Sequence, residues 1–177
     1  MISRNPFAGD RSERAYLRGL RAGDLNGSWN SRYTVWARLS TTHPAMAELF
    51  FMTFREYGRC KMTPDKAYLP GRYCWKFSVY LDRSFAFFVK KPDAIPITST
   101  LFYRFFGGYS DCEGSWCLYN DKGRAAVAFV IESKDRRILR ESAAALGRDG
   151  FHPLLYGVEG NSSIHSNAKT RLEVPKE

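Results

Sequence analysis

The chain has 177 residues, enough for one well-buried core or for two small subdomains fused into one body. Hydrophobic residues at 44% and charged residues at 25% are ordinary, but 27 Lys+Arg against 18 Asp+Glu leave a formal charge of +9, which implies a polyanionic partner, most commonly nucleic acid. No apolar run is long enough to span a membrane, no secretory signal opens the chain, and four cysteines without CxxC spacing or a nearby histidine pattern argue against zinc and for reduced thiols in an intracellular protein.

In chain order, Asp10-Arg11-Ser12-Glu13 has capping-box spacing and predicts a helix running to about Asp24, broken at Asn26-Gly27. Residues 31–40 alternate as a strand. One face carries Tyr33, Val35, Ala37 and Leu39; the other carries Arg32, Thr34, Trp36, Arg38 and Ser40. His43-Pro44 opens a second helix with Met46, Leu49, Phe50 and Phe54 as its buried stripe. Strands follow around 59–63 and 73–81, the latter with Tyr73, Trp75, Phe77 and Val79 on one face and Arg72, Lys76 and Ser78 on the other. This arrangement leaves a Cys60–Cys74 bridge open, should those residues face each other across strands. Residues 84–90 predict a closing helix, and Lys91-Pro92-Asp93-Ala94-Ile95-Pro96 a connection, because paired prolines break regular structure.

The second half repeats the order. A helix covers 99–112, a hairpin turns at Asp121-Lys122-Gly123 into a return strand over 124–132, a helix spans 135–146, and strands lie near 151–158 and 170–174. The repeat predicts a subdomain over 1–91, a linker over 92–97 and a second subdomain over 98–177 in which the closing helix is missing. The fold class is α+β, a duplicated αββαββ(α) unit with two antiparallel sheets.

Two stretches carry the duplication. Leu17-Arg18-Gly19-Leu20-Arg21-Ala22-Gly23-Asp24 is echoed by Phe106-Gly107-Gly108-Tyr109-Ser110-Asp111-Cys112-Glu113, with each acid five residues after a glycine and Gly-Ser-Trp soon following both. Small residues (Gly19, Ala22 and Gly23 on one side, Gly107 and Gly108 on the other) permit close helix packing. Two acids at helix C-termini are disfavoured by the macrodipole unless a divalent cation lies between them. Aligning on Gly-Ser-Trp instead of on the helix places Asn26, not Asp24, opposite Glu113.

These stretches resemble the LAGLIDADG homing endonucleases, the first in a variant closing on Gly-Asp and the second in the commoner form ending Asp-x-Glu-Gly. The length and the Ser40-to-Pro44 stretch look most like archaeal ribosomal-RNA intron enzymes. The resemblance implies a single-chain, pseudo-symmetric nuclease with its motif helices packed at the centre and its sheets forming a saddle over DNA. It implies Mg²⁺, or Mn²⁺, held by Asp24 and Glu113, with Ca²⁺ binding but not supporting cleavage. It further implies a monomer cutting both strands of a long double-stranded intron-insertion site to leave 3′ overhangs. The alternative is a maturase-like protein that binds intron RNA and assists splicing without cutting.

Asp24 and Glu113 are accordingly the candidate catalytic and metal residues. Lys134, between a strand and a helix where family members often carry a lysine, is a further catalytic candidate; its counterpart in the first half is Thr42. Asp111 is expected to brace the helix junction. Candidate DNA contacts are Arg32, Thr34, Trp36, Arg38, Ser40, Thr42, Arg72, Lys76 and Ser78 on the first sheet and Arg124, Lys169 and Arg171 on the second, since arginine pairs bidentately with guanine and lysine takes phosphates. Glu132-Ser133-Lys134 also matches the E-x-K of restriction-type nucleases, but the hairpin-rich order does not support that fold.

Overall fold

The computed structural model describes residues 4–66, 73–96, 98–158 and 169–175. The first half runs α1 (Arg11–Ala22), β1 (Asn26–Ser31), β2 (Thr34–Thr41), α2 (Pro44–Phe54), β3 (Lys61–Lys66), β4 (Tyr73–Asp82) and a 3-10 helix (Arg83–Phe88). The second runs α3 (Ser99–Glu113), β5 (Gly114–Asp121), β6 (Arg124–Ser133), α4 (Arg136–Arg148), β7 (Leu154–Val158) and β8 (Lys169–Pro175). Two four-stranded antiparallel sheets result, β1-β2-β4-β3 and β5-β6-β8-β7. Their identical order is the duplication expressed as topology.

Helix ends are fixed by local chemistry. Asp10 Oδ1 accepts from the Glu13 N–H at 2.7 Å, closing the first turn of α1, a cap that contributes about 1 kcal/mol. Asp135 caps α4 by accepting from the Ile138 N–H at 3.3 Å. Asp82 accepts from the Ser84 N–H at 2.8 Å and starts the 3-10 helix directly after β4.

The period-two pattern sorts the first sheet as expected. Val35, Ala37 and Leu39 of β2 and Phe77, Val79 and Leu81 of β4 are buried against Leu17 and Leu20 of α1, Phe50 and Phe54 of α2, and Phe85 and Phe88. Tyr73 and Trp75 share that parity but are 70% and 44% exposed, because they lie near the start of β4, beyond the buried stretch that begins at Phe77. In the second half, Phe102, Phe105 and Tyr109 of α3 pack with Ile131 and with Ile138, Leu139, Ala145 and Leu146 of α4. Ala15 and Ala22 of α1 belong to this second cluster, so α1 serves both cores.

Three expectations need correction. Asn26-Gly27 is no turn: β1 starts there, and the hairpin turns at Arg32-Tyr33 instead. Gly27 is glycine for another reason, since a Cβ would collide with the Phe88 carbonyl of the 3-10 helix lying over it. β3 runs later than expected and contains Pro64, which its edge position tolerates. Cys60 and Cys74 are not bridged; all four cysteines are free, and burial pushes the Cys60 thiol up to about 11.

Candidate active site and nucleic-acid interface

α1 and α3 pack side by side with their backbones in contact. A Cβ on Gly19 would overlap the Phe105 carbonyl oxygen, and one on Gly108 would overlap that of Tyr16. Gly107 takes no part, because its missing Cβ faces open space. At the acid-bearing end, the Tyr16 hydroxyl donates to Asp111 Oδ2 at 2.7 Å and ties the helices together. That places Asp111 in the bracing position. Cys112 Sγ lies 3.6 Å from the Leu20 carbonyl, and burial pushes its thiol up to about 12.

The two acids reach this end differently. Glu113 is the last residue of α3, and Gly114 opens β5 immediately. α1 ends two residues before its acid, at Ala22, and Leu25 N–H bonds back to the Leu20 carbonyl at 3.1 Å. Helix register therefore pairs Asp24 with Glu113, while strand register pairs Asn26 with it; two extra residues separate helix from strand in the first half. A Cβ on Gly23, the residue before Asp24, would lie 3.4 Å from Glu113 Cγ, so the two acid-bearing segments converge. The Cys112 thiol between them feels the negative charge of both acids. Asp24 is open to solvent yet sits in a concavity; desolvation there raises its carboxyl above the ordinary value, and the Lys91 ammonium pulls it back.

Asp24 opens into a cavity of about 650 Å³ on the sheet side. Its wall is the polar face of the first sheet: Asn26, Trp36, Arg38, Ser40, Thr63, Lys76 and Ser78. Register aligns these in rows, Asn26–Arg38–Ser78–Lys61 and Ser40–Lys76–Thr63. The Arg38 guanidinium lies 4.2 Å from the Trp36 ring centroid, and Trp36 stacks on Tyr80 with centroids 6.0 Å apart. Lys76 pairs with Asp65 at 2.5 Å in a solvent-exposed contact. A basic, aromatic-backed wall beside paired carboxylates suits a phosphodiester backbone and base edges.

No protein-family model matches the chain, and no curated protein does. Solved structures do. The homing endonuclease I-WcaI bound to its DNA recognition sequence matches with TM-score 0.61 and 14% identity, covering 94% of this chain and 76% of that one. I-DmoI in complex with DNA and Mn matches with TM-score 0.53 and 18% identity over 93% and 89% of the two chains. The N-terminal LAGLIDADG domain of DUF199/WhiA matches with TM-score 0.54 and 17% identity over 95% and 77%. The chain has the LAGLIDADG fold.

Within this LAGLIDADG fold the other candidate residues fall unevenly. Trp36, Arg38, Ser40, Lys76 and Ser78 share the concave face; Thr42 is exposed in the bend after β2. Arg32 stands in the β1–β2 turn rather than on the face, its guanidinium 5.5 Å from the Tyr33 ring centroid. Thr34 is only 4% exposed, and its hydroxyl accepts from Arg4, so it is withdrawn from solvent. Arg72 lies outside the described residues. On the second sheet, Arg124 is exposed beside the hairpin turn; Arg171 is in register with Glu132, and Lys169 with Val158. Lys134 is exposed at the β6–α4 junction. Asp135 beside it pairs with Lys91 at 3.7 Å.

The sequence reading passed over Tyr80, Lys61 and Thr63. Tyr80 has the parity of Lys76 and Ser78, so the alternation itself held the signal. The other two lie inside the strand expected over 59–63, to which no outward face was assigned. Lys91 had no local signal, since only the folded path of the connection brings it near Asp24.

Among the described residues no three His, Cys, Asp or Glu side chains cluster as a metal cage. Two acid-bearing segments that converge, with Asp24 open to solvent, fit Mg²⁺ or Mn²⁺, which take hard oxygen ligands and keep waters. They do not fit a structural zinc site.

Proposed function

We propose that the protein is a site-specific endonuclease acting on double-stranded DNA as a monomer, with one composite site where α1 and α3 end. The observation that carries this reading is the convergence of Asp24 and Glu113 beside a basic, aromatic-backed sheet face. The likeness to structures of I-WcaI and I-DmoI with DNA supports it. Fold alone would not, because one fold hosts many functions.

Asp24 and Glu113 are the residues that would hold a divalent ion, and the Mn in the I-DmoI complex supports that assignment. When bound, such an ion activates a hydrolytic water and stabilises charge on the leaving 3′ oxygen. The protein's own part is to hold two carboxylates at a fixed spacing on a rigid helix pair. Lys134 neutralises charge on a phosphate from the α4 entrance. The sheet faces read a long intron-insertion site, with Arg38 on base edges and Lys76 on the backbone. Cuts in both strands across the minor groove leave 3′ overhangs.

The test is incubation of the protein and Mg²⁺ with DNA that restores the uninterrupted insertion site, alongside Asp24→Asn and Glu113→Gln. The parent cuts, and both variants bind without cutting. Cutting by both variants at the parent rate sinks the metal assignment. A parent that binds intron RNA and never cuts supports the splicing role instead.

A further inference from the structure

The connection between the halves is pinned at both ends. Arg21 Nε of α1 donates to the Phe88 carbonyl at 2.7 Å. Seven residues later the Ile95 N–H donates to Glu141 Oε2 of α4 at 3.2 Å, and Arg137 holds Glu141 at 2.8 Å. Lys90 and Asp93, between these points, pair at 2.5 Å in a solvent-exposed contact that holds nothing else. The connection thus crosses from the last turn of α1 to α4 at the end where the acids lie. Lys91 is carried on that crossing, about half exposed, its Nζ 3.7 Å from Asp135 Oδ2.

We propose that Lys91 contacts a scissile phosphate on the Asp24 side of the composite site, an assignment that rests on the nuclease reading above. Three features carry it. The β2–α2 junction of the first half presents Thr41, Thr42 and His43 and so lacks the ammonium that Lys134 gives its counterpart. The connection supplies one instead, carried three residues beyond Phe88, whose carbonyl Arg21 holds at the end of α1 that leads into Asp24. The contact with Asp135 is also loose. At 3.7 Å it is well beyond the 2.7–2.9 Å of a charge-assisted hydrogen bond, about the usual range, while Asp135 Oδ1 is already engaged by the Ile138 N–H. Exchanging that loosely held, partly buried partner for a phosphate oxygen costs little, because a pair this long and this open at the lysine contributes little to stability.

Lys91 touches the non-bridging oxygens of one strand only, so its loss unbalances the two cuts. The experiment is single-turnover cleavage in Mg²⁺ with each strand labelled separately, comparing the parent, Lys91→Ala, Lys91→Arg and Lys90→Ala. Affinity is measured in Ca²⁺ and folding by thermal melting. Lys91→Ala is expected to slow one strand by about 10–100-fold, the loss of one charged phosphate contact, with the other strand less affected and nicked DNA accumulating. Lys91→Arg recovers most of the rate, and Lys90→Ala cuts like the parent. Equal cutting of both strands by Lys91→Ala at the parent rate overturns the assignment. So does a defect that Lys90→Ala shares, or one seen only as lower melting or weaker binding. A parent that cuts no DNA removes the nuclease reading, and this assignment falls with it.

Discussion

Gly19 of α1 rests directly on the carbonyl oxygen of Phe105 in α3, with no room for even one methyl group. Gly108 makes the reciprocal contact with the Tyr16 carbonyl. The two helices bearing the acids are therefore set by backbone, which cannot yield as a side chain can.

Gly19→Ala is expected to cost about 3 kcal/mol or more, at the upper end of overpacking penalties, which for a chain of this size lowers Tm by roughly 6–12 °C. Gly107→Ala is the matched control. Its Cβ meets nothing, so the helix-propensity gain of up to about 1 kcal/mol survives. Thermal melting of both variants separates a packing role from a general dislike of change in this motif. Equal melting temperatures for the two would show that the seam is not where the stability lies.

The contrast between these glycines also shows what the sequence could and could not reveal. Spacing located the helices and the alternation located the sheet faces, because both depend on neighbours a few residues away. Which of Gly107 and Gly108 meets the other helix depends on rotation about the helix axis, and the motif text contains both. Gly27 looked like half of an Asn-Gly turn, but its role is set by a 3-10 helix some sixty residues downstream. Thr34 has the parity of a surface residue but is buried, and Arg4, thirty residues upstream, donates to its hydroxyl. Lys91 lies in a proline-broken connection whose path no local pattern encodes. Residues whose roles arise within their own element were legible; of those defined by another element, only the ones the repeated motif marks, such as Gly19, Gly108 and Asp111, were.

The Tyr16–Asp111 bond makes a prediction about which acid does what. Asp111 accepts a hydrogen bond from the Tyr16 hydroxyl across the seam and faces solvent, so Asp111→Ala should lose about 1 kcal/mol of stability and keep strand cleavage within a few-fold of the parent. Asp24→Asn should do the reverse, losing cleavage by about 10³-fold or more, a loss of the size seen when a catalytic charge-stabilising group is removed. Parallel denaturation and cleavage assays decide this. An Asp111→Ala enzyme as dead as Asp24→Asn would move Asp111 into the catalytic set.

Asp24 has a pH signature of its own. Its folded-state pKa is raised by desolvation, the larger effect, with Lys91 opposing. Folding thus favours the protonated form, and the penalty of holding the charged carboxylate is absent below the ordinary aspartate range near 4. It grows as pH rises through the raised value. Without divalent metal, Asp24→Asn should therefore melt above the parent at neutral pH and level with it at about pH 3–4. Adding Mg²⁺ should raise the parent's Tm and leave that of Asp24→Asn nearly unmoved, by simple linkage. Indifference of the parent's Tm to Mg²⁺ and Mn²⁺ would count against a metal between the acids.

The stacked trio of Arg38, Trp36 and Tyr80 separates base reading from phosphate binding. Stacking holds the Arg38 guanidinium in one plane, which suits bidentate pairing with a guanine. Lys76 is an exposed point charge with a flexible stem, and it pairs with Asp65. Arg38→Ala should weaken binding by about 1–3 kcal/mol and relax preference at one or two base pairs. Lys76→Ala should weaken binding to all sequences alike and lower the salt slope by about one. Asp65→Asn should do the opposite of Lys76→Ala, strengthening binding by freeing the ammonium. Titrations at several salt concentrations against a target and single-base variants report all three. Equal effects of Arg38→Ala and Lys76→Ala on every variant would mean that the stacked arginine reads the backbone and that specificity resides in other parts of the sheets.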